Sequence, residues 1–187
     1  MAIVKNIKTK LQYVLDCVIE RKKANLICLA VIVCAVFVGA LVPLSKVEAE
    51  ALLKEYGVVN GTGFYEILAR IGLIFCSNLL IALLMMLPVA GQIAGVYTLY
   101  RSGMVLAAMS VVHGVSQVEG LFSTLVIPVV WLEFYAFSIA MTEGALLIFK
   151  VRNVETLKPV CVRFLFCVIL LALAAVLEGT IVSLMNV

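Results

Sequence analysis

The sequence predicts an all-α integral membrane protein with about five transmembrane helices, an N-terminal amphipathic helix and a short outer-loop helix. Three observations carry this reading. Of the 187 residues, 65% are hydrophobic and only 13% charged, whereas soluble domains run at roughly 45–50% and about 25%. The mean hydropathy is +1.20, and a chain of this size has too little interior to hide so much apolar surface from water. Finally, the apolar residues fall into runs near the ~20 residues that cross a bilayer. A disordered chain, a nucleic-acid binder and a water-soluble enzyme are all excluded on these grounds.

Residues 1–23 form the first unit. Ile3, Ile7, Leu11, Val14, Leu15 and Val18 recur at helical spacing, with lysines on the opposite face. This is an amphipathic helix, lying on the inner membrane surface among anionic head groups or packed on the protein's own cytoplasmic face. Residues 24–187 form the helical membrane domain. Ala24 to Leu44 is the first span, free of charge and too long for a signal h-region. In the outer loop, Ser45 and Glu48 make an S-x-x-E capping box. A short helix follows over Ala49 to Tyr56, with Gly57 as its stop. Asn60-Gly61-Thr62 is turn chemistry that also matches a glycosylation sequon. Ile71 to Ala90 is the second span. The third, 103–118, is short or bent, and a re-entrant hairpin there would leave four crossings. Leu121 to Phe149 is the fourth, containing Pro128, Glu133 and Glu143, and Phe164 to Met185 the fifth, with Glu178 near its far end.

Basic residues orient the spans, because cytoplasmic flanks carry the Lys/Arg excess. Six precede the first span, Lys150, Arg152, Lys158 and Arg163 surround the fourth junction, and Arg101 falls between spans two and three, making eleven of fourteen. Lys46, Lys54 and Arg70 flank the outer loop, where Glu48, Glu50, Glu55 and Glu66 outnumber them. The N-terminus is therefore expected in the cytoplasm of a multi-pass cell-membrane protein, and five spans put the C-terminus outside.

Catalytic chemistry has little to stand on. The six cysteines (Cys17, Cys28, Cys34, Cys76, Cys161 and Cys167) include no C-x-x-C pair, and there is one histidine. They read as apolar filler rather than as disulfides or metal ligands. Ser110 and His113 share a helix face, yet no orienting acid or oxyanion hole accompanies them. No enzyme activity, cofactor, metal or nucleic-acid partner is expected.

The ionisable residues inside spans are more informative, since each costs about 2.5–3.5 kcal/mol in hydrocarbon on insertion scales. Asn78, Glu133, Glu143 and Arg101 form the candidate intramembrane polar set. Glu133, twelve residues past Leu121, is the deepest. It is either an ion or proton site or a structural pair, the latter favoured. Arg101 belongs near the inner interface, so Asn78 rather than Arg101 is the better partner for Glu133. Small residues mark close helix approaches: Gly91 and Gly95 in a G-x-x-x-G step, Gly103, and Ala136, Ala140 and Gly144 along span four. Such stripes serve packing within one subunit or between two.

The order of these motifs resembles the stage II sporulation protein M family of polytopic membrane proteins. Ser77-Asn78 stands where the family has Asn-Asn, Gly91 to Gly95 matches its Gly-rich turn, and Ser102-Gly103 matches its Asn-Gly. Its Pro-His-Gly-x-x-Glu reads here Pro128-Val129-Val130 with Glu133, so Pro128 and Glu133 stay in register. The resemblance spans Phe75 to Gly144. It implies a non-enzymatic membrane component that assembles with cell-envelope proteins.

The leading expectation is therefore a membrane scaffold that associates with itself, with other membrane proteins and with lipids through small-residue faces. The alternative is a small transporter or channel component with Glu133 and Asn78 at a mid-membrane site.

Overall fold

A computed structural model describes residues 21–56, 64–150 and 157–185. The amphipathic segment at 3–19, the Gly57 stop and the Asn60 turn lie outside the described residues. Among those described there are seven helices and no strand: α1 (Lys22–Ala40), α2 (Lys46–Tyr56), α3 (Phe64–Met86), α4 (Ala90–His113), α5 (Gln117–Leu125), α6 (Pro128–Lys150) and α7 (Leu157–Met185). Five contain a stretch long and apolar enough to cross a membrane: Lys22–Ala40, Leu68–Met86, Ala90–His113, Pro128–Leu147 and Lys158–Ile181. Their outer surface agrees, with Leu26, Ile27, Leu80, Ile93, Leu165 and Leu173 all exposed, a coat that water does not tolerate over such an area.

Local chemistry sets where each helix stops. α1 ends at Ala40, four residues short of the expected Leu44, because Pro43 cannot donate to the ladder. Ser45 then caps α2 as read: its N–H and hydroxyl both reach Glu48 Oε2, at 2.8 and 2.6 Å, and Glu48 N–H returns to Ser45 Oγ at 3.3 Å.

The ends of the next three spans differ from expectation. α3 starts earlier and stops at Met86 rather than Ala90, because Pro88 biases Leu87 away from helix. The reversal is made at Val89, whose φ is 58, with Ala90 N–H donating to Pro88 O at 2.7 Å. α4 is a full helix from Ala90 to His113, not a short one from 103, and Gly114 ends it in the left-handed conformation. The run from Leu121 to Phe149 is two helices, not one span. Pro128 is the first residue of α6, where its fixed φ and missing N–H do no harm. Ahead of it, Ser116 caps the separate helix α5 by accepting from Glu119 N–H.

α6 is the central helix, packing on α1, α3 and α7. Ala136, Phe137, Ile139 and Ala140 enter the main core with Ile32, Met85 and Leu171. α4 lies against α1 and α3, and α2 lies along α4, where Ala49 and Leu52 meet Ala108. Two crossings depend on glycine. A Cβ at Gly39 would stand 2.0 Å from Tyr100 O, and one at Gly103 2.2 Å from Val36 O, so α1 and α4 touch backbone to backbone.

Candidate functional site

The break between α5 and α6 shapes the site. α6 begins only five residues before Glu133, and α5 fills the space above it, so Glu133 lies beneath a helix junction. The two halves are joined by Trp131, whose Nε1–H donates to Leu125 O at the end of α5 at 2.8 Å. Gln117 ties the start of α5 to the segment between α1 and α2 by donating to Val42 O at 2.7 Å.

Beneath the junction is a cavity of about 260 Å³. Glu133 of α6, Asn78 of α3 and Glu178 of α7 supply its polar wall, with Ser102 and Thr124. Leu99, Phe134 and Phe137 supply part of its apolar wall. Asn78 Nδ2 donates to Glu133 Oε1 at 2.5 Å. Asn78 lies near the middle of the Leu68–Met86 stretch, Glu133 five residues into the Pro128–Leu147 stretch and Glu178 near the end of Lys158–Ile181. The hydroxyls of Ser102 and Thr124 donate to Thr98 O and Gly120 O, which leaves oxygen lone pairs for the cavity. Its lining holds two carboxylates and no basic side chain. Among the described residues no three His, Cys, Asp or Glu gather as metal ligands.

Glu143 lies in a second cluster, ten residues and nearly three turns further along α6. Its Oε2 accepts from Arg21 Nη1 at 2.5 Å, and Arg163 Nε pairs with its Oε1 at 2.5 Å. Arg163 Nη2 donates to Asn25 Oδ1 at 2.9 Å. Glu143, Arg163 and Asn25 are 0%, 1% and 3% exposed. Burial on this scale needs each charge paired, and Glu143 answers two guanidiniums with one carboxylate.

The candidate polar residues thus divide three ways. Asn78 and Glu133 come together, Glu143 does not join them, and Arg101 joins neither. Arg101 was expected at the inner interface between two spans. It instead lies within α4 and pairs with Glu55 of α2 at 3.1 Å, on the side of the bundle where the first loop lies. Arg101 therefore leaves the inner basic set and joins Lys46, Lys54 and Arg70.

The small residues are consumed inside the subunit. Gly91 abuts Leu84 and Leu87, Gly95 abuts Met85, Gly103 abuts α1, and a Cβ at Gly144 would stand 2.2 Å from Met85 O. Ala136 and Ala140 are buried. Ser110 donates to Leu106 O of its own helix and is buried, while His113 is exposed, so the two form no dyad. Cys167 fills the core, its Sγ facing Ala136 O at 3.2 Å. Cys34, Cys76 and Cys161 instead face outward, correcting the view of them as interior filler.

Sequence reading missed Asn25, Arg21 and Arg163 as cluster members, because basic residues beside a span read first as orientation signals. The second capping box, Ser116 with Glu119, carried the same S-x-x-E signal as Ser45 with Glu48 and would have revealed α5. Comparisons with protein-family models, curated proteins and solved structures returned no match to this chain.

Proposed function

We propose that this protein is a small transporter or channel component of a membrane, with a cation or proton site in the cavity at Glu133. The observation that carries the reading is the cavity itself: two carboxylates, an amide and two hydroxyls beneath a helix break, lined from α3, α4, α5, α6 and α7. An ionised carboxylate is costly in hydrocarbon unless it faces a partner or a wet route, and discontinuous helices near mid-membrane are how many transporters build such sites. The lining chemistry accepts positive charge. The small-residue faces that would have served a scaffold are occupied within the subunit, which moves the balance away from that role.

Flux measurement in proteoliposomes tests it. Under a proton or alkali-cation gradient the wild type should dissipate the gradient, and Glu133→Gln should abolish this while eluting as the same folded species. A folded, correctly inserted wild type that passes neither ion would sink the reading.

The scaffold role stands as the second reading, favoured by one feature. An apolar groove of about 790 Å³ runs between α1 and α4, lined by Val31, Val38, Ile93, Val96 and Tyr97, and it suits an apolar helix of another chain. The mass of the detergent-solubilised particle, with any co-purifying protein, separates the two. The family resemblance belongs to this proposal as well: Pro128 opening α6 and Glu133 one turn beyond are its in-register residues. The orientation is also proposed, the N-terminus inside. Moving Arg101 to the outer set leaves ten inner basic residues of fourteen, still a clear excess, and a reporter fused to the C-terminus reads the side directly.

A further inference from the structure

The cavity beneath the α5–α6 junction has two walls of opposite character, and together they specify more than a charge. Nine of its fourteen lining residues are apolar, among them Leu99, Leu121, Phe134 and Phe137, each at most 6% exposed. Asn78, Ser102, Thr124, Glu133 and Glu178 make the polar wall. What that wall offers is acceptors. The Ser102 and Thr124 hydroxyls already donate to Thr98 O and Gly120 O, so each oxygen keeps its lone pairs. Asn78 Nδ2 donates to Glu133 Oε1, which leaves the amide oxygen and the other carboxylate oxygens as further acceptors. No basic side chain stands among the described residues of the lining.

The size of the space narrows the occupant. The cavity measures about 260 Å³, where ~10–15 Å³ admits one water. A divalent cation holds its oxygen ligands at about 2.0–2.6 Å, and no three His, Cys, Asp or Glu gather as metal ligands among the described residues. In so wide a space an inorganic ion would keep its own water and gain nothing from the leucine and phenylalanine wall. Ligand cavities are mostly apolar with a few convergent polar groups, and each CH₂ buried in one is worth about fourfold in affinity.

The geometry points to a primary organic ammonium as the occupant, its N–H donors on the acceptors around Glu133 and Glu178 and its short carbon chain against Leu99, Phe134 and Phe137. This rests on the reading of the cavity as a cation site and narrows the ligand to one chemical class. An ammonium head brings three donors and no acceptor, which matches the polar wall, and aromatic faces add attraction for a positive group.

Titration of the full chain in detergent at constant ionic strength provides the test. Binding is read by calorimetry and by the fluorescence of Trp131, the chain's one tryptophan, which adjoins Val130 of the lining. Affinity should rise about fourfold per added CH₂ from methylammonium to butylammonium. Potassium and ammonium lack the carbon, and tetraethylammonium has charge and carbon but no N–H. Each should bind more weakly than butylammonium by roughly tenfold or more. Glu133→Gln should abolish butylammonium binding, and Glu178→Gln takes its place should that variant fail to fold. A flat series, or equal binding of potassium or tetraethylammonium, overturns the inference. So does a series unchanged in the variant, which partition into the micelle would give. The flux experiment keeps the two claims apart. Proton or alkali flux without butylammonium binding spares the cation-site reading and overturns the ligand class, whereas butylammonium binding without either flux upholds the ligand class and overturns passage of those ions.

Discussion

Glu133 and Glu143 are ten residues apart on one helix, and the two carboxylates live in opposite circumstances. Glu143 is sealed at 0% exposure between two arginines from different helices. Glu133 is held by one neutral amide and looks into open volume beside a second carboxylate. The first arrangement fastens α1, α6 and α7 together, since moving any of the three strands a charge. The second leaves a carboxylate with room and lone pairs to spare, which is what a binding site needs and what a fastener lacks. Charge inside an apolar bundle is thus not one signal but two, separated by what each group touches.

Breaking the fastener should have the largest effect. Glu143→Gln leaves Arg21 and Arg163 without their carboxylate, and removing one partner of a buried pair costs about 3–5 kcal/mol. Unfolding followed in detergent should show that loss, or no folded protein at all. Glu133→Gln should change stability by no more than about 1 kcal/mol, because Gln still offers Asn78 an acceptor at the price of one neutral hydrogen bond, while it removes flux. Equal destabilisation by both substitutions would erase the distinction between the clusters.

The frame around the clusters comes next. Gly103→Val drives a side chain into Val36 O and Ala40 N of α1, with nothing flexible to yield, so it should cost about 1–3 kcal/mol as overpacking does. Because this crossing forms one wall of the cavity, the same variant should also disturb flux, whereas the Glu143 cluster further along the bundle should keep its pairing. A mutation in the opposite direction is available at the α3–α4 reversal. Val89 is a β-branched residue at φ 58 and ψ -72, a strained conformation that only glycine adopts freely. Val89→Gly should raise stability by about 1 kcal/mol, measured as a higher unfolding midpoint.

Legibility in the sequence followed the same division between local and distant causes. The number of membrane-length helices and the α2 capping box depend on neighbours in the chain, and both were readable. Glu133 with Asn78 was also readable, because depth alone left each with few polar partners. The split of the fourth run turned on whether Pro128 lay inside a helix or at its first position, which composition does not decide. Arg101 was misplaced because its partner, Glu55, sits 46 residues away on a loop helix that folds back along α4. The Glu143 cluster needed residues from three helices, two of them basic and already assigned to the flanks, so no single stretch announced it.

The smallest effect lies outside both clusters and checks how far the polar interior is independent of the loop. The Ser45 hydroxyl and N–H, both donating to the Glu48 carboxylate, hold its pKa below the ordinary value of 4.5. A depressed carboxylate contributes stability above its unfolded pKa and loses that contribution as the pH falls through the folded value. Amide protection in α2 should therefore be level at neutral pH and decline on acidification below about 4.5, and Ser45→Ala should lower protection and flatten the decline. The box is fully exposed, so the change should stay local to α2. If the same acidification released the α1–α4 crossing at Gly103 in step with α2, the loop helix would be part of the cavity wall rather than a cover packed against it, and Arg101 with Glu55 would be the link that transmits the change.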